Sequence, residues 1–254
     1  MTGSAATPMP SIAELRAATQ PDWLLARPGA EHWAGRLYMR RLSPYLTRLV
    51  LRTPLSANGV TALMIPAGLL GALSFTFAGV WPAVLGVLLV QLQLLLDCSD
   101  GEVARWRTQF SAVGVYLDQL AHYSTEAAIP AAIGVRADGG WDSIGGWTAL
   151  GLFASVLILF LKSETHLVQY ALGRSERPAP SPQQDAAPSA PRLLPAIRPF
   201  QAVEASLLAL AAAVVDSVAD GLDGSRILVV AIAVAAGIAV VGHLVAILAS
   251  GRLK

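Results

Sequence analysis

Six stretches of mainly apolar residues constrain the fold of this chain more than any other feature. Each approaches the ~20 residues that an α-helix needs to cross the hydrocarbon core of a membrane. We place these spans at 58–80, 82–107, 111–135, 144–170, 200–219 and 226–250. Only 14% of the 254 residues are charged, against about 25% in a typical soluble domain. The sequence therefore predicts an all-α, polytopic membrane protein with six transmembrane helices.

Two segments outside these spans differ in composition. Residues 31–52 interleave leucine and aromatic side chains with arginines, which is the pattern of a basic amphipathic helix at a membrane surface. A helix packed on a soluble core shows a similar pattern, but the spans that follow favour the interfacial position. Residues 173–199 are rich in proline, alanine and serine and predict a flexible loop. We therefore expect an N-terminal segment at 1–54 and a membrane domain at 55–254.

The distribution of basic residues predicts the orientation in the membrane. Of the 18 lysines and arginines, only Arg136 and Arg226 fall in loops opposite the termini, and Lys162 falls within a span. We therefore expect a multi-pass protein of the inner (plasma) membrane whose termini and 173–199 loop are cytoplasmic. The net charge of +1 creates no field that would attract a nucleic-acid polymer.

The segment DCSDGEVARWRTQFSAVGVYLDQLAH (97–122) places charged side chains at the cytoplasmic ends of the second and third spans. Asp97 and Asp100 are three residues apart and share a helix face. On the next helix, Asp118 and His122 are spaced by four. Two adjacent antiparallel helices would direct these side chains toward one another. Because clustered carboxylates repel unless a cation lies among them, the segment indicates a site for Mg²⁺ or Mn²⁺.

Small and cationic residues accompany these carboxylates. Gly101 and Gly114 leave room for a ligand to approach the backbone closely. Arg105 offers a planar guanidinium that can hold a phosphate through two hydrogen bonds. A simpler interpretation is that the charges are interfacial side chains reaching toward water from helix ends. Their spacing on two consecutive spans favours a site that handles a diphosphate.

The same segment resembles the signature of the CDP-alcohol phosphotransferase family, D-x2-D-G-x2-A-R-x8-G-x3-D-x3-D. The matching positions are Asp97, Asp100, Gly101, Ala104, Arg105, Gly114 and Asp118, with His122 in place of the final aspartate. ANGVT at 57–61 is similar to the Asn and Thr that the family carries near its nucleotide pocket. The resemblance covers about 55–250 and accounts for nothing before it except a surface helix.

This resemblance implies six membrane helices, a polar cavity open to the cytoplasm and a homodimer. It implies transfer of a substituted phosphate from a CDP-alcohol, in many bacterial members CDP-diacylglycerol, to an alcohol acceptor with release of CMP. Such a reaction belongs to phospholipid biosynthesis. The implied metal ligands are Asp97, Asp100 and Asp118, with His122 as a further candidate. The implied nucleotide-binding residues are Asn58, Thr61, Gly101, Ala104, Arg105 and Gly114.

The histidine at the last motif position leaves three interpretations open. His122 can deprotonate the acceptor alcohol, because an imidazole titrates near neutral pH. Glu126, one helical turn further on, can orient the imidazole or replace it as the base. The chain can also be a catalytically degenerate, weakly active member. The catalytic candidates are Asp118, His122 and Glu126. An alternative of a different class is a non-enzymatic cation-binding or transport protein of the membrane.

Overall fold

The computed structural model describes residues 9–21, 32–174 and 200–250. In these ranges the chain is helical and has no β-strand, which confirms the all-α prediction. The helices are α1 Ile12–Thr19, α2 Arg40–Val50, α3 Ala57–Ser74, α4 Val80–Arg107, α5 Ala112–Ala137, α6 Gly146–Arg174, α7 Ala202–Val218 and α8 Asp223–Ala249. A π-helical turn, Gly35–Met39, leads into α2. The predicted 173–199 loop lies outside the described residues except for its first two positions, which continue α6.

Within the described ranges, four helices are long and apolar enough to cross a membrane: α3, α4, α8 and the Gly146–Val168 part of α6. They indicate a multi-pass membrane protein. The third and fifth predicted spans also form helices, α5 and α7, but these lack that combination of length and hydropathy. The 17 residues of α7 extend only about 26 Å at 1.5 Å per residue, against a hydrocarbon core of about 30 Å. The first half of α5 carries the polar end of the 97–122 segment. Their membrane crossing stays a prediction.

The chain divides into two compact units. The first comprises residues 1–67 and 91–121, and the second comprises 68–90 and 122–254. Both α4 and α5 therefore contribute residues to each unit. The predicted boundary between residues 54 and 55 stays a prediction.

The core of the first unit joins the start of α3 to the motif-bearing end of α4. Its apolar cluster consists of Val50, Ala57, Val60, Met64, Ala67, Leu96, Val103 and Ala121. Within α3, the buried members recur every three or four residues, so one face of this helix packs inward. This packing places the ANGVT segment beside the aspartates of α4.

Helix α2 buries polar side chains next to the apolar Val50, and it leaves other apolar side chains exposed. Ser43 and Thr47 are fully buried, and both donate hydrogen bonds to Glu102 of α4. The side chains exposed on the opposite face are Leu42, Tyr45 and Leu49. A stripe of exposed apolar residues at this spacing suits a helix that lies on a lipid surface. The interfacial position of residues 31–52 stays a prediction, now with this exposed stripe in its favour.

In the second unit, the buried guanidinium of Arg136 joins several helix ends. Its Nε donates to Asp216 Oδ2 of α7 at 3.2 Å and to Ser225 Oγ of α8 at 3.1 Å. Its Nη1 donates to the carbonyls of Phe77 and Gly79, between α3 and α4, at 2.5 and 3.1 Å. Arg136 was predicted to lie in a loop, but it belongs to the last turn of α5. Because the buried cation lies beside a buried carboxylate, the two charges compensate each other.

Candidate active site

A tight turn joins α4 to α5. Thr108 adopts a left-handed conformation with φ of 55°. The next amide, Gln109 N–H, donates to the Ala104 carbonyl at 2.8 Å, which ends α4 in a Schellman motif. Ser111 then caps α5, because its Oγ accepts a hydrogen bond from Gly114 N–H at 3.0 Å. The two helices are thus joined by a short segment with a defined conformation at each end.

The two helices bring three of the predicted metal ligands together. A carboxylate oxygen of Asp97, one of Asp118 and a ring nitrogen of His122 all lie within 4.8 Å of one another. Asp97 is on α4, whereas Asp118 and His122 are one turn apart on α5. All three side chains are partly buried. Two carboxylates and one imidazole are a donor set that suits Mn²⁺, and Mg²⁺ when water completes its coordination.

Asp100, the fourth predicted ligand, is not part of this group in the structure. Its Oδ2 accepts a hydrogen bond from Thr61 Oγ1 at 2.5 Å. Thr61 is fully buried on the inner face of α3. Its hydroxyl therefore fixes the orientation of the Asp100 carboxylate. The sequence singled out Thr61 for its place near a nucleotide, and spacing along the chain gave no sign of this pairing.

Asn58 and Gly114 lie against each other at the starts of α3 and α5. Asn58 Oδ1 accepts a hydrogen bond from Ser111 Oγ at 2.9 Å. A Cβ at position 114 would lie only 2.8 Å from the same Asn58 oxygen. The absence of a side chain at Gly114 therefore makes room for the Asn58 amide. Ser111, which was not among the predicted site residues, links the two.

Arg105 lies over Gly101, one turn earlier on α4. A Cβ at position 101 would lie 3.2 Å from both Nη atoms of Arg105. The Nε of Arg105 donates to the carbonyl of Thr19, at the end of α1, at 2.6 Å. Ala104 packs against the apolar cluster of the first unit. The Thr19 carbonyl thus holds one edge of the guanidinium, and the missing side chain of Gly101 makes room for the other edge.

The sequence model of the CDP-alcohol phosphatidyltransferase family matches residues 55–179. This range contains every side chain of the site described so far. Residues 55–179 are a CDP-alcohol phosphatidyltransferase domain. A relative, the bifunctional IPC transferase and DIPP synthase of Aquifex aeolicus (strain VF5), is 32% identical over 120 residues, which are 47% of this chain and 26% of the relative. The match thus spans about a quarter of that relative's length.

The last catalytic candidate in the phosphatidyltransferase domain, Glu126, forms an ion pair within the second unit. Its Oε2 lies 2.5 Å from Lys162 Nζ of α6. The same ammonium lies 5.0 Å from the centre of the Tyr123 ring. A second buried pair, between Glu164 Oε2 and His243 Nδ1 at 2.9 Å, joins α6 to α8. The sequence gave no signal for either pair, because the partners are on helices far apart in the chain.

Proposed function

We propose that this chain is a membrane-bound CDP-alcohol phosphotransferase, which transfers a substituted phosphate from a CDP-alcohol to an alcohol acceptor and releases CMP. The convergence of Asp97, Asp118 and His122 within 4.8 Å, inside a phosphatidyltransferase domain, supports this proposal most directly. The donor would be CDP-diacylglycerol, which makes the transferred group phosphatidate and the process phospholipid biosynthesis. The reaction would take place at the cytoplasmic face of the inner membrane, in a homodimer.

The donor set fits a divalent cation. Asp97 and Asp118 carry like charges that repel at this separation, so a cation among them lowers the electrostatic energy. Mg²⁺ or Mn²⁺ would be held by these two carboxylates, with His122 as a further candidate ligand and with Asp100 joining if its carboxylate turns from Thr61. Such an ion supplies positive charge that stabilises the diphosphate and the departing CMP.

The remaining motif residues would bind and orient the CDP-alcohol. Arg105 presents its two Nη groups over Gly101, where they can donate two parallel hydrogen bonds to a phosphate. Asn58, whose amide occupies the room left by the missing side chain of Gly114, would offer hydrogen bonds to the base or the ribose. Ala104, which packs against the apolar cluster of the first unit, would lie behind the bound donor. These contacts would place the β-phosphorus next to the carboxylate cluster.

We infer that His122 accepts the proton of the acceptor hydroxyl. A neutral imidazole has a single lone-pair nitrogen, which can either bind a metal or accept a proton. As the base, His122 would keep this nitrogen free and would leave the ion to Asp97 and Asp118. Glu126 is the weaker candidate, because its carboxylate is already engaged in the ion pair with Lys162 of α6. Asp118 would act chiefly as a ligand of the metal ion, one turn before His122 on α5.

The Aquifex relative supports a second choice of substrates. Its name gives IPC transfer and DIPP synthesis as its activities. The same site in this chain could carry out one of these two activities, on the substrates of that relative.

CMP release by the purified full chain tests the function. The chain is incubated with Mn²⁺, a CDP-alcohol and a panel of acceptor alcohols, and CMP and the product are measured by chromatography and mass spectrometry. CMP release that requires both donor and acceptor supports the proposal, and the product identifies the substrates. Binding of Mn²⁺ without turnover of any CDP-alcohol would favour a degenerate or cation-binding protein.

A further inference from the structure

Helix α1 precedes the phosphatidyltransferase domain in sequence, yet it reaches the donor-binding residues. It starts with a capping box between Ser11 and Glu14 and ends at Thr19. The Thr19 side chain is fully buried, and its carbonyl accepts the hydrogen bond from Arg105 Nε. The end of α1 is therefore in direct contact with a residue that we assign to the diphosphate of the donor.

A buried carboxylate holds this end of α1 in place. Glu102 is fully buried and accepts hydrogen bonds from Gln20 Nε2 at 2.7 Å, from Thr47 Oγ1 at 2.7 Å and from Ser43 Oγ. The Gln20 amide also donates to the Arg40 carbonyl at 2.9 Å. Since Glu102 lies three residues before Arg105, this network ties α1 to the same turns of α4 that carry the motif.

The contact at Thr19 determines which edge of the guanidinium is presented to a ligand. A guanidinium is a rigid plane with five N–H donors. With Nε bound to the Thr19 carbonyl, the plane cannot rotate freely, and both Nη groups stay over Gly101. Those two groups are the pair that can bind one phosphate through parallel hydrogen bonds.

We propose that the end of α1 is a positioning element of the donor site: the Thr19 carbonyl, fixed by the Gln20–Glu102 hydrogen bond, holds Arg105 in the orientation that binds the diphosphate of a CDP-alcohol. This inference rests on the proposed function. It assigns a role in donor binding to residues 12–20, which lie outside the family match at 55–179. Gln20 and Glu102 act through Arg105 and do not touch the donor.

The test compares donor affinity and turnover in the full chain. Gln20→Ala removes the amide that links α1 to Glu102. We expect the KM for the CDP-alcohol, and the Kd for CDP measured by calorimetry with Mn²⁺, to rise roughly 3- to 10-fold, the cost of ordering a side chain on binding. The kcat should change less than twofold. Tyr38→Phe is the matched control, because it deletes the 2.7 Å hydrogen bond to Gln91 in the same unit without touching α1.

A double-mutant cycle separates positioning from a loss of stability. In an Arg105→Lys background the guanidinium plane is gone, so Gln20→Ala should weaken CDP binding no further. Equal effects of Gln20→Ala in both backgrounds, or wild-type affinity in Gln20→Ala alone, would overturn the proposal. Hydrogen exchange gives a readout without nucleotide: Arg105→Lys should accelerate exchange at residues 17–21, and unchanged exchange would contradict the contact.

The outcomes also separate this inference from the proposed function. A wild-type chain that binds CDP and turns over a CDP-alcohol, with Gln20→Ala identical to it, refutes the role of α1 and leaves the function standing. A wild-type chain that binds no CDP and releases no CMP refutes both.

Discussion

Lys162 Nζ lies 2.5 Å from Glu126 Oε2, and both side chains are largely withdrawn from solvent. Loss of either partner of such a buried pair is destabilising, because the other charge stays buried without compensation. His122 and Glu126 are one turn apart on α5, and both are candidates for the general base. The ion pair with Lys162 gives Glu126 a structural role.

His122→Ala should lower kcat by about 10²- to 10⁴-fold, the usual contribution of a general base. Glu126→Gln should instead lower the unfolding temperature and keep most of the turnover. His122→Asp, which restores the family motif, should retain much of the activity. CMP release and thermal unfolding of the three purified variants provide the measurements. Near-wild-type turnover in His122→Ala, with Mn²⁺ binding intact, would transfer the role to Glu126.

Asp97→Asn should abolish CMP release and weaken Mn²⁺ binding, because the amide removes one of the two clustered carboxylate charges. A chelator should stop turnover by the wild-type chain, and added Mn²⁺ or Mg²⁺ should restore it. Asp142→Asn, at an exposed position outside the cluster, is the matched control and should behave as wild type. Calorimetric titration with Mn²⁺ follows binding independently of turnover. Turnover that resists the chelator would rule out the site as proposed.

The predicted topology puts residue 185 in the cytoplasm and residue 142 on the opposite side. Asp185→Cys and Asp142→Cys, each in a Cys98→Ala background, allow a direct comparison. An impermeant thiol reagent applied to intact cells should label position 142 and leave position 185 unlabelled until the cells are opened. The reverse pattern would move the active site to the outer face of the membrane.

Asp216→Ala should destabilise the fold by about 3–5 kcal/mol, because it leaves the Arg136 guanidinium buried without its carboxylate. The exposed pair Asp223–Arg226, with a separation of 3.8 Å, provides the control. Asp223→Ala should cost less than about 1 kcal/mol, as is usual for surface ion pairs. Unfolding of both variants in the same detergent compares the two costs. Equal losses would show that the Arg136 network does not depend on its charge pair.

Asp138 makes the start of α6 sensitive to pH. Burial alone would raise the pKa of its carboxyl, but hydrogen bonds from the Thr148 hydroxyl and from the N–H groups of Thr148, Gly145 and Trp147 outweigh it and lower the pKa. A lowered folded-state pKa stabilises the fold above the ordinary aspartate pKa of about 3.9, and this stability is lost as the pH falls through the folded-state value.

Asp138→Asn should therefore be less stable than the wild-type chain at pH 6, and the difference should shrink as the pH falls below about 4. Thermal unfolding of both proteins across this range measures the effect. A constant difference at every pH would show that the Asn variant loses packing instead of a charged cap.

The apolar runs were enough to predict where α3, α4, α6 and α8 lie, because a membrane-crossing helix needs only length and apolar composition. The positions of α5 and α7 were predicted as closely, at 111–135 and 200–219. Their membrane crossing stays a prediction, because α5 carries the polar motif residues and α7 is short.

Local spacing also predicted the meeting of Asp97 with Asp118 and His122, since these residues lie close to a short connection between two helices. It did not predict the Thr61–Asp100 or Arg105–Thr19 contacts. In each, the partners are joined through the packing of segments distant in sequence. A helical period describes which face a residue is on, but not which other helix covers that face.

The Schellman turn at Thr108 makes the number of residues between Arg105 and Gly114 a structural constraint. One inserted residue would rotate α5 by about 100° around its own axis and advance it by about 1.5 Å. Asp118 would then point away from Asp97, although every motif residue was still present. Within this gap Phe110 is exposed, whereas Ser111 bonds to Asn58 and caps α5. The length of the gap therefore sets the helical phase at which the two aspartates meet.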